Sequence, residues 1–142
     1  MEANFRYRIL HMNYVSSEAL DRMARLLRSS VSFMWLMSGI VSLLPHSTGA
    51  SLDLLRHIGV PASLAPVLLI GAAVVDIALG LLTLLPRRVP FLWTAQILLV
   101  LVYTTIISVF LPQLWLEPFG PVVKNVPILA LLLLLRQLET RR

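Results

Sequence analysis

Four stretches of this chain run close to twenty residues with almost no charge, and that pattern narrows the available folds more than any other feature. A hydrocarbon core roughly 30 Å thick needs about 20 mostly apolar helical residues to cross it. The stretches cover about residues 26–45, 66–85, 89–111 and 118–136. The uncharged part of the first begins only at Ser29, so Leu26 and Leu27 help to complete it. Asp76 interrupts the second, nothing charged interrupts the third, and Lys124 interrupts the fourth. Backbone groups in lipid must be satisfied within each segment, so the spans are expected to be helices. The predicted fold is all-α: a polytopic membrane four-helix bundle.

Composition supports the bilayer as solvent. Of 142 residues, 58% are apolar and 13% charged, where a soluble domain carries about a quarter charged residues. A 15.9 kDa chain has too much surface to stay in solution with so little charge. The same apolar content excludes intrinsic disorder. The chain has no cysteine, which excludes disulfides, dithiol redox chemistry, iron–sulfur clusters and thiolate zinc sites.

The charges sort by side. Arg6, Arg8, Arg22, Arg25 and Arg28 precede the first span, Arg87 and Arg88 form the turn between the second and third, and Arg136, Arg141 and Arg142 close the fourth. The opposite connections hold only Arg56, with Lys124 at the start of the last span. By the positive-inside rule, both termini and the Arg-Arg turn are expected to be cytoplasmic. Residues 1–28 read as a cytoplasmic segment. Its Leu20, Met23, Ala24 and Leu27 face opposite Asp21, Arg22, Arg25 and Arg28, an amphipathic helix that lies along the inner leaflet or runs straight into the first span. Residues 1–15 show no clear pattern. The basic residues suit anionic lipid, and their placement by topology argues against nucleic-acid binding. The first apolar run starts too far from Met1 for a signal peptide.

The two outside connections differ. In residues 46–65, Ser51 is expected to cap a short helix with Asp53 in its first turn, His57 in its last and Gly59 just past its end; Leu52, Leu55 and Ile58 suit an interfacial face. Residues 112–121 are rich in breakers, with Trp115 and Phe119 at headgroup level.

An ionisable side chain at mid-membrane costs at least about 2.5–3.5 kcal/mol on insertion scales and so has a partner or a purpose. This chain has two. Asp76 lies 11 residues before Arg87 and Lys124 lies 12 before Arg136, roughly 16 and 18 Å along a helix. The matched levels leave an Asp76–Lys124 ion pair open, with snorkelling of Lys124 to the outer surface as its alternative. Ala72, Asp76 and Gly80 form a small-acid-small stripe that admits a neighbouring helix. Ser32, Trp35, Gly39 and Ser42 share a face of the first span. Gln96 and Tyr103 share one of the third, with Thr104 and Ser108 beside it, and Asn125 adjoins Lys124. A polar pocket centred on Asp76 and walled by Trp35 and Tyr103 follows. Asp76 and Lys124 are its candidate catalytic groups, and Trp35, Tyr103 and Asn125 its candidate ligand-binding residues. Three roles stay open for it: structural glue between helices, a small-molecule or quinone-type site, and proton or ion conduction.

Other chemistries fit poorly. No histidine lies in a span, which argues against haem held between helices. The sequence has no glycine-rich nucleotide loop, no metal-ligand cluster and no internal repeat of the transporter kind.

Particular segments resemble a known family. Gly71-Ala72-Ala73-Val74-Val75-Asp76-Ile77-Ala78-Leu79-Gly80 and Pro118-Phe119-Gly120-Pro121-Val122-Val123-Lys124-Asn125-Val126-Pro127 resemble the second helix and the start of the fourth in the DoxX-like family of small four-helix membrane proteins. Trp35 with Gly39, and Tyr103 with Thr104, are similar to the same pattern. The resemblance covers about residues 28–138, and residues 29–138 are taken as the DoxX-like transmembrane domain. It implies a redox or quinone-linked role. Some members are fused to NAD(P)-binding domains, so a separate redox polypeptide is the implied partner here. The leading expectation is an accessory or anchoring subunit of the bacterial inner membrane, free to form a homo-oligomer. Eleven arginines against one lysine suggest a GC-rich bacterial source. No cofactor is evident, with quinone as the associated one. The alternative is a membrane enzyme or lipophilic-ligand binder using the Asp76–Lys124 pocket.

Overall fold

A computed structural model describes residues 2–85, 89–117 and 122–140, with side chains from residue 18 onward except those of Pro90 and Thr140. Among the described residues the secondary structure is helical, without strands. Five α-helices follow in order: α1 Glu2–Ser42, α2 Pro45–His57, α3 Ala65–Leu84, α4 Pro90–Phe110 and α5 Asn125–Thr140. A 3-10 turn at Pro112–Trp115 leads away from α4. The Arg87-Arg88 turn, the Pro118-Phe119-Gly120-Pro121 segment, Arg141 and Arg142 lie outside the described residues.

Among the described residues, two helices are long and apolar enough to cross a membrane by themselves. They are α3, at mean hydropathy 2.5, and the Phe91–Phe110 stretch of α4, at 1.9. A third crossing results if Glu18–Ser42 and α2 are counted as one span broken by their 86° bend. The exposed surface fits a lipid solvent. On α3, one narrow face is buried through Leu69, Ala73, Asp76, Gly80 and Thr83, while Val67, Ile70, Val74 and Leu81 stay exposed on the others. Soluble helices show the opposite, with polar residues on the exposed face.

Residues 1–15 carry no clear pattern, yet the helix runs unbroken from Glu2. The chain has no proline before Pro45 and no glycine before Gly39, so nothing interrupts it. Of the two courses open to the amphipathic segment, the structure takes the one straight into the first span. Pro45 ends nothing itself. It occupies the first turn of α2, where its missing N–H is harmless, so α2 starts six residues before the expected cap at Ser51. The far end of α2 is as expected: Gly59 takes φ 93°, its N–H bonds Arg56 O, and the Val60 N–H bonds Leu55 O. That pair is a Schellman closure, for which the left-handed residue is glycine. Asp53 and Arg56 form an exposed ion pair at 3.2 Å. At the last helix, the expected start near 118 gives way to a turn at 122–124, and the helix begins at Asn125.

The most extensive helix contact is between α1 and α3, where small residues let the two approach. A Cβ on Gly39 would come within 2.7 Å of Ala73 O, and one on Gly80 within 2.7 Å of Leu36 Cγ. Ser32 Oγ donates to Gly80 O at 2.7 Å. The two faces expected from spacing therefore meet, as small-residue stripes allow in lipid. The core combines Val31 and Trp35 of α1, Leu79 of α3, Leu92, Trp93 and Val100 of α4, and Leu132 and Leu135 of α5.

Candidate functional site

Asp76 is buried, at 5% exposure, in the α1–α3 seam. The glycine contacts bring α1 close enough for Ser38 Oγ to donate to Asp76 Oδ2 at 2.7 Å. Tyr103 of α4 lies against the same carboxyl group. The other oxygen, Oδ1, is buried and has no hydrogen-bond partner. A buried acceptor without a donor is uncommon and calls for a structural or functional reason.

A cavity of about 200 Å³ opens beside this carboxylate. Trp35, Ser38, Tyr103, Lys124 and Asn125 supply its polar lining, and Met34, Val100 and Ile128 its apolar lining. Four of the five residues singled out in the sequence thus border one space. Asp76, the fifth, stands behind two of the lining hydroxyls. Asp76 and Lys124 do not form an ion pair: Ser38 and Tyr103 occupy the polar side of the carboxyl group. Lys124 sits exposed in the turn ahead of α5, where its flexible stem lets the ammonium remain in a polar setting.

The lining is held in place by its own hydrogen bonds. Trp35 Nε1 donates to Gln96 Oε1 at 2.8 Å, Gln96 Nε2 donates to Thr83 Oγ1 at 3.0 Å, and Thr83 Oγ1 donates to Leu79 O at 2.7 Å. Asn125 Nδ2 donates to Thr104 Oγ1 at 2.8 Å, which donates to Val100 O at 2.6 Å. The amide of Asn125 is therefore engaged, and Thr104 is the residue that orients it. Ser108, on the same side of α4, accepts instead from Trp115 Nε1 at 3.0 Å.

A second polar cluster, not singled out in the sequence, ties the ends of the helices together. Arg28 Nη1 pairs with Glu139 Oε1 at 2.8 Å. Its Nε and Nη2 donate to Thr83 O at 3.2 and 2.9 Å, and Nη2 also donates to Leu85 O. Trp93 Nε1 donates to Glu139 Oε2 at 2.7 Å, and the guanidinium lies 5.8 Å from the Trp93 ring centroid. Arg28 thereby satisfies carbonyls at the C-terminus of α3, where a cation is favoured by the helix dipole. A cavity of about 430 Å³ lies alongside, bordered by Arg25, Ser29, Leu84 and Leu138 among others. The sequence marks Arg28 only as one of the basic residues ahead of the first span, and nothing in the spacing joins it to Glu139, 111 residues away.

Among the described residues, no cluster of histidine and carboxylate groups is arranged to hold a metal. The chain was compared with families, curated proteins and solved structures. A family model described as the DoxX-like family matches residues 32–133, which include Asp76 and every residue lining its cavity but neither Arg28 nor Glu139. No curated protein and no solved structure matches.

Proposed function

The chain belongs to the DoxX-like family, and on that footing we propose that it is a multi-pass protein of the bacterial inner membrane that binds the polar head of a lipophilic ligand of quinone type. In this reading α1, α3, α4 and α5 each cross the bilayer. The arginine distribution supports an orientation with both termini in the cytoplasm. The observation that carries the ligand reading is the cavity itself. A space of about 200 Å³ with an aromatic wall, two hydroxyls, an amide and an ammonium beside a buried carboxylate with an unused oxygen has the make-up of a small-ligand site: apolar walls with a few convergent polar groups. Asp76 would accept or release a proton through Ser38 or Tyr103, while Lys124 and Asn125 would meet a ligand oxygen. A thermal-shift series on the detergent-purified chain with short-chain quinones tests this. Stabilisation of the wild type that shrinks in Asp76→Asn is expected; no stabilisation above that given by added lipid would sink the reading.

The accessory-subunit reading draws on a different observation. Beyond Arg28, which marks the end of α3, α1 continues as helix back to Glu2, roughly 39 Å at 1.5 Å per residue. Such an arm suits the anchoring of a separate redox protein at the cytoplasmic face. A heteromeric partner that co-purifies in mild detergent, and is lost when residues 2–17 are deleted, is the expected result. Equal recovery of the partner with and without the arm would count against it.

A further inference from the structure

The hydrogen-bond directions around the cavity specify which end of a ligand points where. Ser38 has one hydroxyl hydrogen, and it is given to Asp76 Oδ2 at 2.7 Å. Toward the cavity Ser38 can therefore offer only lone pairs. Tyr103 also has one hydrogen and lies against a carboxyl group whose Oδ1 lacks a donor. Its hydroxyl bonds to that carboxyl group, which leaves the phenol oxygen, like that of Ser38, as an acceptor, while Oδ1 stays without a donor. This wall calls for a ligand donor. The wall formed by the start of α5 is richer in donors: beside the Asn125 amide, which has its Oδ1 acceptor and one Nδ2 hydrogen left after Thr104, stands Lys124. Lys124 presents an ammonium with three donors and no acceptor, and it is not paired with Asp76.

We propose that the cavity takes a single-ring compound with a hydroxyl at one position and an anionic oxygen at another, a hydroxyaryl carboxylate. The hydroxyl donates to Ser38 and Tyr103, and the carboxylate meets Lys124, with the ring between Trp35, Val100 and Ile128. The volume, about 200 Å³, suits one substituted ring, being below the roughly 300 Å³ at which sites for drug-sized ligands begin. The assignment rests on the ligand-site reading above and adds a polarity to it: at the Ser38–Tyr103 wall a hydroxyl is preferred over a carbonyl.

Equilibrium dialysis of the full chain in nanodiscs, with 3- and 4-hydroxybenzoate, benzoate and methyl 4-hydroxybenzoate as probes, tests it. At least one hydroxybenzoate isomer should bind tenfold or more tightly than benzoate, because a site built around a hydroxyl discriminates strongly against its absence. Tyr103→Phe and Ser38→Ala should each reduce that preference. Lys124→Met should abolish the preference for the acid over the methyl ester while leaving the hydroxyl preference intact. Hydroxybenzoates that bind no better than benzoate, or a hydroxyl preference unchanged in both Tyr103→Phe and Ser38→Ala, would overturn the polarity while leaving a ligand site in place. If none of these probes binds but short-chain quinones do, the polarity again fails alone. If neither group binds, the ligand reading fails with it.

Discussion

The Arg28 cluster and the Asp76 cavity are both polar islands among apolar helices, but they are finished to different degrees. At Arg28, Nε and both terminal nitrogens donate, both Glu139 oxygens accept, and Trp93 contributes its one donor. At Asp76 one oxygen is served by Ser38, the other lacks a donor, and Lys124 borders the cavity without pairing with it. A saturated network in a low-dielectric setting ties elements together, whereas an unsaturated one leaves capacity for something else. The contrast accords with the proposed reading, in which the first serves stability and the second recognition.

The sharpest way to break that division is Glu139→Ala, which leaves both Arg28 and the Trp93 N–H short of an acceptor. A loss of about 2–4 kcal/mol is expected, read as thermal unfolding in detergent, since removing one partner of a partly buried pair strands the other. A change under about 0.5 kcal/mol would show the cluster to be ornamental. Next in size is Gly80→Ala, whose added methyl meets Leu36 side-chain and backbone atoms at 2.7–3.0 Å. It should cost about 1–3 kcal/mol as overpacking, and because it spreads α1 from α3 it should weaken ligand binding too. Asp76→Asn is expected to stay within about 1 kcal/mol of wild type, as the amide oxygen still accepts from the Ser38 hydroxyl. Its effect should appear in ligand binding instead; a larger stability loss than Glu139→Ala would reverse the assignment. Smallest is the coupling between Asp76→Asn and Lys124→Met. For groups that are not paired, the double-mutant cycle should close within about 0.3–0.5 kcal/mol, and a stronger coupling would show that the two charges interact after all.

Those outcomes bear on features that the sequence exposes unequally. The apolar stretches and the small-residue faces of α1 and α3 are readable because lipid-facing and helix-facing positions follow helical spacing. The cavity residues are readable for a related reason: a polar side chain in an apolar run is conspicuous, and Trp35, Tyr103, Lys124 and Asn125 all stand out in that way. Pairing is harder. Depth along the helices allows Asp76 and Lys124 to meet, but depth does not give azimuth, and the serine and tyrosine hydroxyls hold the place the ammonium would need. Arg28 and Glu139 illustrate the converse. Each resembles an ordinary charge at a membrane boundary, and only the packing of α1, α3, α4 and α5 brings them together. Helix boundaries depart from expectation where Pro45 starts a helix rather than closing one, and where the turn at 122–124 postpones α5.

Thr83 belongs to both halves of the comparison. Its carbonyl accepts from Arg28, and its hydroxyl accepts from Gln96, whose amide oxygen holds the indole of Trp35. The aromatic wall of the cavity is therefore immobilised during folding and not on ligand arrival. A mobile side chain costs about 0.5–1.5 kcal/mol to freeze in the act of binding. Here that entropy has already been surrendered at Trp35, so the ring of the proposed ligand would meet a surface whose shape does not depend on its presence.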